Sequence, residues 1–412
     1  MKNKKNRKLQ TVDEYEDPTD RIVKELIEEL NSEDYQEKQV VPKKKKWYRG
    51  VIFVVIVALL GVGVYLLINL QTYTQTRISE TYSISSASDS NYQQFGTGII
   101  KYSRDGMSYL NQSGEEKWNY SYQIKTPMTE MGDTSSAIYD LGGNDIIVFQ
   151  KDGVIGEVET TMPIERVAVS KQGIVAAVLK NGTSSMVMCY DVTGNVLVEH
   201  KTSLSGTGYP LDVALSEDGE TMQVLYLFTQ KGKITSKVAY YNFGEAGEDQ
   251  TDHKVLETEY DNTIMASGFY MNQSISAVVG DNCLAIYRGT DSPKEVAKVE
   301  IDKDIKSLFH NEKYIGLVLK NEGKEGYELR LYNTNGKVVM SEDFTGDYSN
   351  VKISGSQVIM YDGKKCSIFL RSGVQKFDGN MDDKILEIVP IAGVNKYIVI
   401  NANGMEKIRL VK

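Results

Sequence analysis

MVMCYDVTGNVLVEH (residues 186–200) and LRLYNTNGKVVMSED (residues 329–343) are one hairpin written twice. Each has an alternating apolar/polar strand, a Tyr, a polar turn closing on Gly, and a second alternating strand. A period of two places every other side chain on one face, so each hairpin has one face to bury. SYLNQSGEEKWNY repeats the pattern near residue 114. Outward from these hairpins, short runs rich in Val, Ile and Tyr recur every eight to twelve residues to the end of the chain. Turn pairs separate them: Asp105-Gly106, Asp152-Gly153, Asn181-Gly182, Asp218-Gly219, Asn335-Gly336 and Asp362-Gly363. No helical period is sustained after residue 75, so this region is all-β.

The hairpins fall into larger units that start near residues 97, 136, 167, 211, 264, 305, 348 and 384. Units of about forty residues with up to four strands each predict a β-propeller of seven or eight blades. A pair of β-sandwiches is the structural alternative. The first and last units each look one strand short. The expected closure therefore sets the strand at Gly98 to Tyr102 beside Lys407 to Lys412, one blade being completed from both ends.

Ahead of the β region, residues 51–70 read VIFVVIVALLGVGVYLLINL, twenty residues without a charge. As a helix this run rises about 30 Å, the thickness of a bilayer's hydrocarbon core. Lys43, Lys44, Lys45, Lys46 and Arg49 precede it, and the next basic residue is Arg77. The positive-inside rule then predicts a cytoplasmic N-terminus and an extracytoplasmic C-terminal domain. Trp47, Tyr48, Tyr65 and Tyr73 suit the two membrane interfaces. A cleaved signal peptide would need a basic region nearly fifty residues long, and no A-x-A site follows the run. The expected organisation is a cytoplasmic tail (1–48), a transmembrane helix (49–70), a Ser/Thr-rich linker (71–93) and an extracytoplasmic propeller (94–412) in the cell membrane.

The tail carries an amphipathic helix expected over 20–34. Ile22, Val23, Leu26, Ile27 and Leu30 share one face, Glu25, Glu28 and Glu29 cover the other, and Thr19 or Asp20 provides a cap after Pro18. So short a helix is marginal alone in water, which makes its apolar stripe a candidate contact for a cytoplasmic protein. Its acidic polar face disfavours a membrane surface.

Charge separates the two parts. Residues 1–49 hold 13 Lys and Arg against 11 Asp and Glu, net +2; the remainder holds 34 against 45, net −11. The acidic domain points away from nucleic acid or anionic lipid headgroups as its main partner. Cys189, Cys283 and Cys366 are far apart, form no C-x-x-C pair and read as buried thiols.

Two short patterns carry family resemblances. Leu215-Ser216-Glu217-Asp218-Gly219-Glu220-Thr221 is similar to the S-P-D-G hairpin of TolB-type and WD40-like propellers, with Glu217 in place of Pro. Gly114-Glu115-Glu116-Lys117-Trp118 resembles the G-x-x-x-W end of quinoprotein-like blades, although it occurs once. The whole layout of basic tail, single span, linker and QFGTGIIKYSRDGMSYLNQSGEEKWN resembles a family of uncharacterised single-pass Firmicutes membrane proteins. That resemblance implies an architecture and supplies no catalytic residues.

Motifs of chemistry are sparse. His200, His253 and His310 sit at no metal-ligand spacing, and neither H-E-x-x-H nor G-x-S-x-G occurs. The Gly-rich pieces at 96–98 and 205–208 open no helix and read as loops. Asp378, Asn380 and Asp382 have the first three spacings of a Ca²⁺ loop, but the sixth position is Asp383 and the twelfth is not Glu. The 26 Tyr against 10 Phe favour cross-strand packing and a contact surface. No cofactor, metal or catalytic residue is expected. The function expected is a non-catalytic platform for an envelope protein or wall-associated ligand. The alternatives are a propeller glycoside hydrolase, which needs two tunnel-facing carboxylates, and a transmembrane regulator signalling through the tail helix.

Overall fold

The computed structural model describes residues 18–32, 47–84, 89–203, 206–230 and 232–412. It divides into two units, 1–65 and 66–412. In the first, helices span Pro18–Ser32 and Trp47–Asn69. The tail helix begins two residues earlier than expected because Pro18 occupies its first turn, where a missing N–H and a fixed φ are tolerated. Lys43 to Lys46 lie outside the described residues. In the second helix the side chains described are those of residues 50–65, which span roughly 24 Å. Among the described residues, no helix is long and apolar enough to cross a membrane.

The second unit is an eight-bladed β-propeller. Eight four-stranded antiparallel sheets follow one another: blade 1 (91–121), blade 2 (127–159), blade 3 (164–202), blade 4 (209–261), blade 5 (265–300), blade 6 (305–344), blade 7 (350–380) and blade 8. We label the strands of each blade a to d in chain order. The a strands of neighbouring blades touch one another, so they line the axis and the d strands form the rim.

Closure differs from the expectation. Blade 8 takes Glu387–Pro390, Lys396–Asn401 and Gly404–Val411 from the C-terminal end, and its rim strand is Gln75–Tyr82. Gly98–Tyr102 is instead the b strand of a complete blade 1. The stretch 71–93 is therefore largely propeller, not linker. Its strand QTRISETY was hidden because a rim strand is covered on little of its surface and tolerates polar side chains. Tyr73, expected at a membrane interface, is buried among Ile368, Phe377 and Leu410, and its backbone N–H donates to the Lys376 carbonyl at 2.9 Å.

Eight apolar clusters fill the eight seams between blades. At the seam of blades 3 and 4, Val178, Val187 and Cys189 meet Val224, Tyr226 and Ala239. The seam of blades 8 and 1 joins Ile398, Ile400 and Met405 to Tyr92, Ile99 and Leu110. Each fully buried aliphatic or aromatic side chain contributes about 1.5–3 kcal/mol, so the ring is held mainly by these seams. All three cysteines are buried and free.

The repeated hairpin explains both turn and seam. Asp191 Oδ1 accepts from the N–H groups of Thr193 (2.8 Å) and Asn195 (2.9 Å). Asn333 and Asn111 do the same in blades 6 and 1. Gly194, Gly336 and Gly114 follow at φ of 82°, 73° and 72°, which an L side chain resists. Each turn then rests on the rim strand of the preceding blade. A Cβ at Gly336 would lie 3.1 Å from both Ala297 Cβ and Val299 Cγ2. In blades 1 to 7 a bulge on the d strand faces the end of strand c, where six blades carry Phe149, Tyr190, Tyr241, Tyr287, Tyr332 or Phe369.

Candidate functional site

The bore is where the eight blades converge, and its lining is polar. Blades 3 to 6 each carry a bulge in strand a, which brings Arg166, Asp212, Ser267 and Ser307 to the same register. Arg166 and Asp212 thus occupy equivalent places on adjacent inner strands, and Glu130 ends the inner strand of blade 2. Asp212 Oδ2 accepts a 2.9 Å hydrogen bond from the Gly268 N–H. Burial raises the Asp212 carboxyl to about 6, against the opposing effects of that N–H and of Arg166. Glu130 is raised to about 8, first by enclosure and then by the Asp212 charge. Its side chain is nevertheless exposed, and solvent tempers the effect.

The opposite wall has a different chemistry. Lys352 on blade 7 forms an ion pair with the buried Glu387 on blade 8. Burial raises the Glu387 carboxyl while Lys352 and the Ile388 N–H act against it. Gln93 Oε1 accepts from the Thr129 hydroxyl at 2.7 Å, and Gln94 Oε1 accepts from Ser354 Oγ at 3.2 Å. These side chains border a cavity of about 780 Å³ bounded by Tyr92, Gln94, His310, Asn350, Lys352 and Glu387, among others. A second cavity of about 290 Å³ shares Asp133, His310 and Asn311 with the first and extends to Lys171, Glu217 and Glu312. Lys171 pairs with Glu217 at 2.8 Å, and this bond, ahead of the Asp133 and Glu312 charges, raises its pKa.

His310 lines both cavities. Its ring stacks on Phe269 with centroids 3.7 Å apart, and enclosure by the surrounding blades lowers its pKa. His200 packs on Tyr241 at the seam of blades 3 and 4, and His253 lies in a short 3₁₀ turn. Asp378 and Asn380 belong to the rim strand Gln375–Asn380, and Asp382 follows it. Among the described residues, no group of three or more His, Cys, Asp or Glu could hold a metal ion.

Ile22, Val23, Leu26 and Ile27 are exposed on the tail helix, roughly half of each side chain being open. Leu30 and Arg49 lie in the two helices, with their side chains outside the described residues. Both quoted patterns have structural roles. The Asp218 turn joins strands a and b of blade 4, and Trp118 Nε1 donates to the Lys151 carbonyl at 2.7 Å, seating blade 1 on blade 2.

Sequence reading missed the bore charges, although a signal existed. ERVAVS (165–170) and LDVALS (211–216) align residue for residue, which makes Arg166 and Asp212 equivalent positions.

No curated protein matches the chain. Among solved structures it is similar to BamB from Moraxella catarrhalis, with 12% identity over 82% of this chain and 99% of that one, at a TM-score of 0.46. Apo AztD from Citrobacter koseri aligns with 10% identity over 72% and 87%, at a TM-score of 0.49. A eukaryotic initiation factor aligns with 12% identity over 74% and 91%, at 0.46. The family of unknown function DUF5711 matches residues 69–410, which takes in all eight blades from the closing strand onward, and the chain belongs to that family.

Proposed function

We propose that this chain is a non-catalytic binding platform. In this reading it is anchored in a bacterial cell membrane by residues 51–70, with its tail in the cytoplasm and its propeller in the envelope space. The observation that carries it is the cavity of about 780 Å³ in the bore. It has the size of small-molecule and peptide-end sites, and its wall offers Asn91, Gln93, Gln94 and Asn350. Neutral amides donate and accept equally, which suits a ligand rich in hydroxyl or amide groups. The charge asymmetry about the apolar run supports the topology. An exposed apolar stripe on Pro18–Ser32 leaves room for a cytoplasmic partner of the tail.

Glu130 and Asp212 favour a second reading. They are two carboxylates on bore-lining strands, both with raised pKa, as a hydrolase of wall or exopolysaccharide would use. Crosslinking in intact cells, followed by purification of the full chain and of a copy lacking residues 1–40, tests the first reading. Envelope partners or wall fragments recovered equally with both copies support a propeller platform. Partners lost with the tail move the function to the helix. Release of sugars from wall polysaccharide, abolished by Glu130→Gln and Asp212→Asn, establishes the hydrolase.

A further inference from the structure

Blade 8 carries a row of like charges that packing does not explain. Arg77 on the closing strand lies directly opposite Arg409, and Arg409 lies directly opposite Lys396. The three are exposed and cross three adjacent strands on one face of the sheet, with neighbouring strands about 4.8 Å apart. Like charges placed opposite one another destabilise a sheet. One step along the same strands, Lys407 is paired with Glu80 at 2.9 Å, which shows the arrangement a carboxylate gives. Among the described residues, none of Arg77, Lys396 and Arg409 has such an ion pair. This basic corner stands in a region whose net charge is −11.

Its place in the chain indicates its partner. The apolar run ends at Leu70, and Thr72 and Tyr73 already bond to the rim of blade 7. Seven residues from Leu70 to Arg77 span at most about 25 Å. We infer that Arg77, Lys396 and Arg409 form a headgroup-docking surface that seats the propeller on the anionic phospholipids of its own membrane. This rests on the reading of residues 51–70 as a membrane anchor. Phosphate oxygens then supply the charge that the sheet omits, and seating by several basic side chains fixes the propeller's tilt in a way a single tether does not. The attraction acts only at close range, because salt screens it within about 8 Å.

The test uses the full chain in lipid nanodiscs. Val394 is exposed beside Lys396, and Val394→Cys gives a single reactive thiol because the three native cysteines are buried. A fluorophore there is read against lipids carrying a headgroup quencher. We expect at least threefold stronger quenching in discs with phosphatidylglycerol than in phosphatidylcholine alone. Combined Arg77→Glu, Lys396→Glu and Arg409→Glu should abolish that difference, as should 0.5 M salt. The neutral variant with Gln at the three positions should also abolish it while retaining the wild-type melting temperature, which separates lost docking from lost folding. Equal quenching in the two lipids, or undiminished quenching in the Gln variant, overturns the docking surface while the chain remains anchored. A chain washed off the discs by carbonate at high pH overturns the anchor itself.

Discussion

Asp212 on the inner strand of blade 4 holds the backbone of Gly268 on the inner strand of blade 5 through a 2.9 Å hydrogen bond. Residue 268 also has little room for a side chain, since a Cβ there would press on the buried Gln223 Oε1. Asp212→Ala leaves an N–H in the bore wall without this acceptor, and should cost about 1–3 kcal/mol. Asp212→Asn keeps an acceptor oxygen and should recover most of that loss. Urea midpoints for the two variants distinguish a structural link from a general effect of removing charge.

Glu130 makes stability depend on pH. Its carboxyl binds a proton more tightly in the folded chain than in the unfolded chain, where a Glu titrates near 4.5, because enclosure in the bore and the Asp212 charge both disfavour the carboxylate. Below the unfolded value this group does not weaken the fold; as the pH rises towards 8, the ionised carboxylate weakens it progressively. Glu130→Gln removes the penalty. The variant should melt with the wild type at pH 4 and above it at pH 8.5. A constant difference across that range would show that folding does not raise the pKa of Glu130.

Glu328 works in the opposite direction. Arg330, then Lys303 and Ser341, hold its carboxylate down to about 2 in blade 6, with Arg330 Nε at 2.6 Å and Lys303 Nζ at 2.7 Å. Its depressed pKa contributes stability above the unfolded value near 4.5, and that contribution is lost as the pH falls towards 2. Glu328→Gln leaves two cations beside a neutral amide in a largely buried site and should cost about 3 kcal/mol at pH 7. The cost should shrink in acid, measured by melting at pH 7 and pH 3.

Gly336 and Gly363 separate the two demands on turn glycines. Both have positive φ, 73° and 55°, but only Gly336 lies against a neighbouring blade. Gly363→Ala should cost the left-handed penalty of about 1–2 kcal/mol. Gly336→Ala should cost that and about 1–3 kcal/mol more, because its Cβ presses on Ala297 and Val299. Equal losses would mean that the turn contributes nothing to the seam of blades 5 and 6.

The sequence makes the hairpins legible because period-two alternation and Asx-Gly turns are local signals. Tyr190-Asp191 and Tyr332-Asn333 mark the same point in two blades, and from there the units can be phased. Blade number and closure are not local. Gln75–Tyr82 has one sheet neighbour and mostly exposed side chains, so no apolar rhythm reveals it, and its partner is more than 300 residues away. The bore charges failed to stand out for a related reason. Arg166, Asp212 and Lys352 each look like one more surface residue until the ring turns their strands inward. Aligning ERVAVS with LDVALS would have exposed the first two.

Tyr73 and the closing strand decide where the propeller begins. Tyr73 is 9% exposed and packs among Phe377, Ile408 and Leu410 at the seam of blades 7 and 8. In the full chain, Tyr73→Ala should cost about 3 kcal/mol, since truncating a buried aromatic costs 3–5 kcal/mol and this one lies at the edge of its cluster. Truncation gives the sharper result. A chain starting at residue 71 retains all eight blades and should unfold cooperatively as a monomer. A chain starting at residue 89 lacks the rim strand of blade 8 together with Thr72 and Tyr73, which join it to blade 7. It leaves Gly404–Val411 as an unpaired edge with Ile408 and Leu410 uncovered, a template for pairing with another copy. That chain should associate or aggregate, and a synthetic Gln75–Tyr82 peptide should restore the monomer. A monomeric, equally stable chain from residue 89 would show that the ring does not depend on its N-terminal strand.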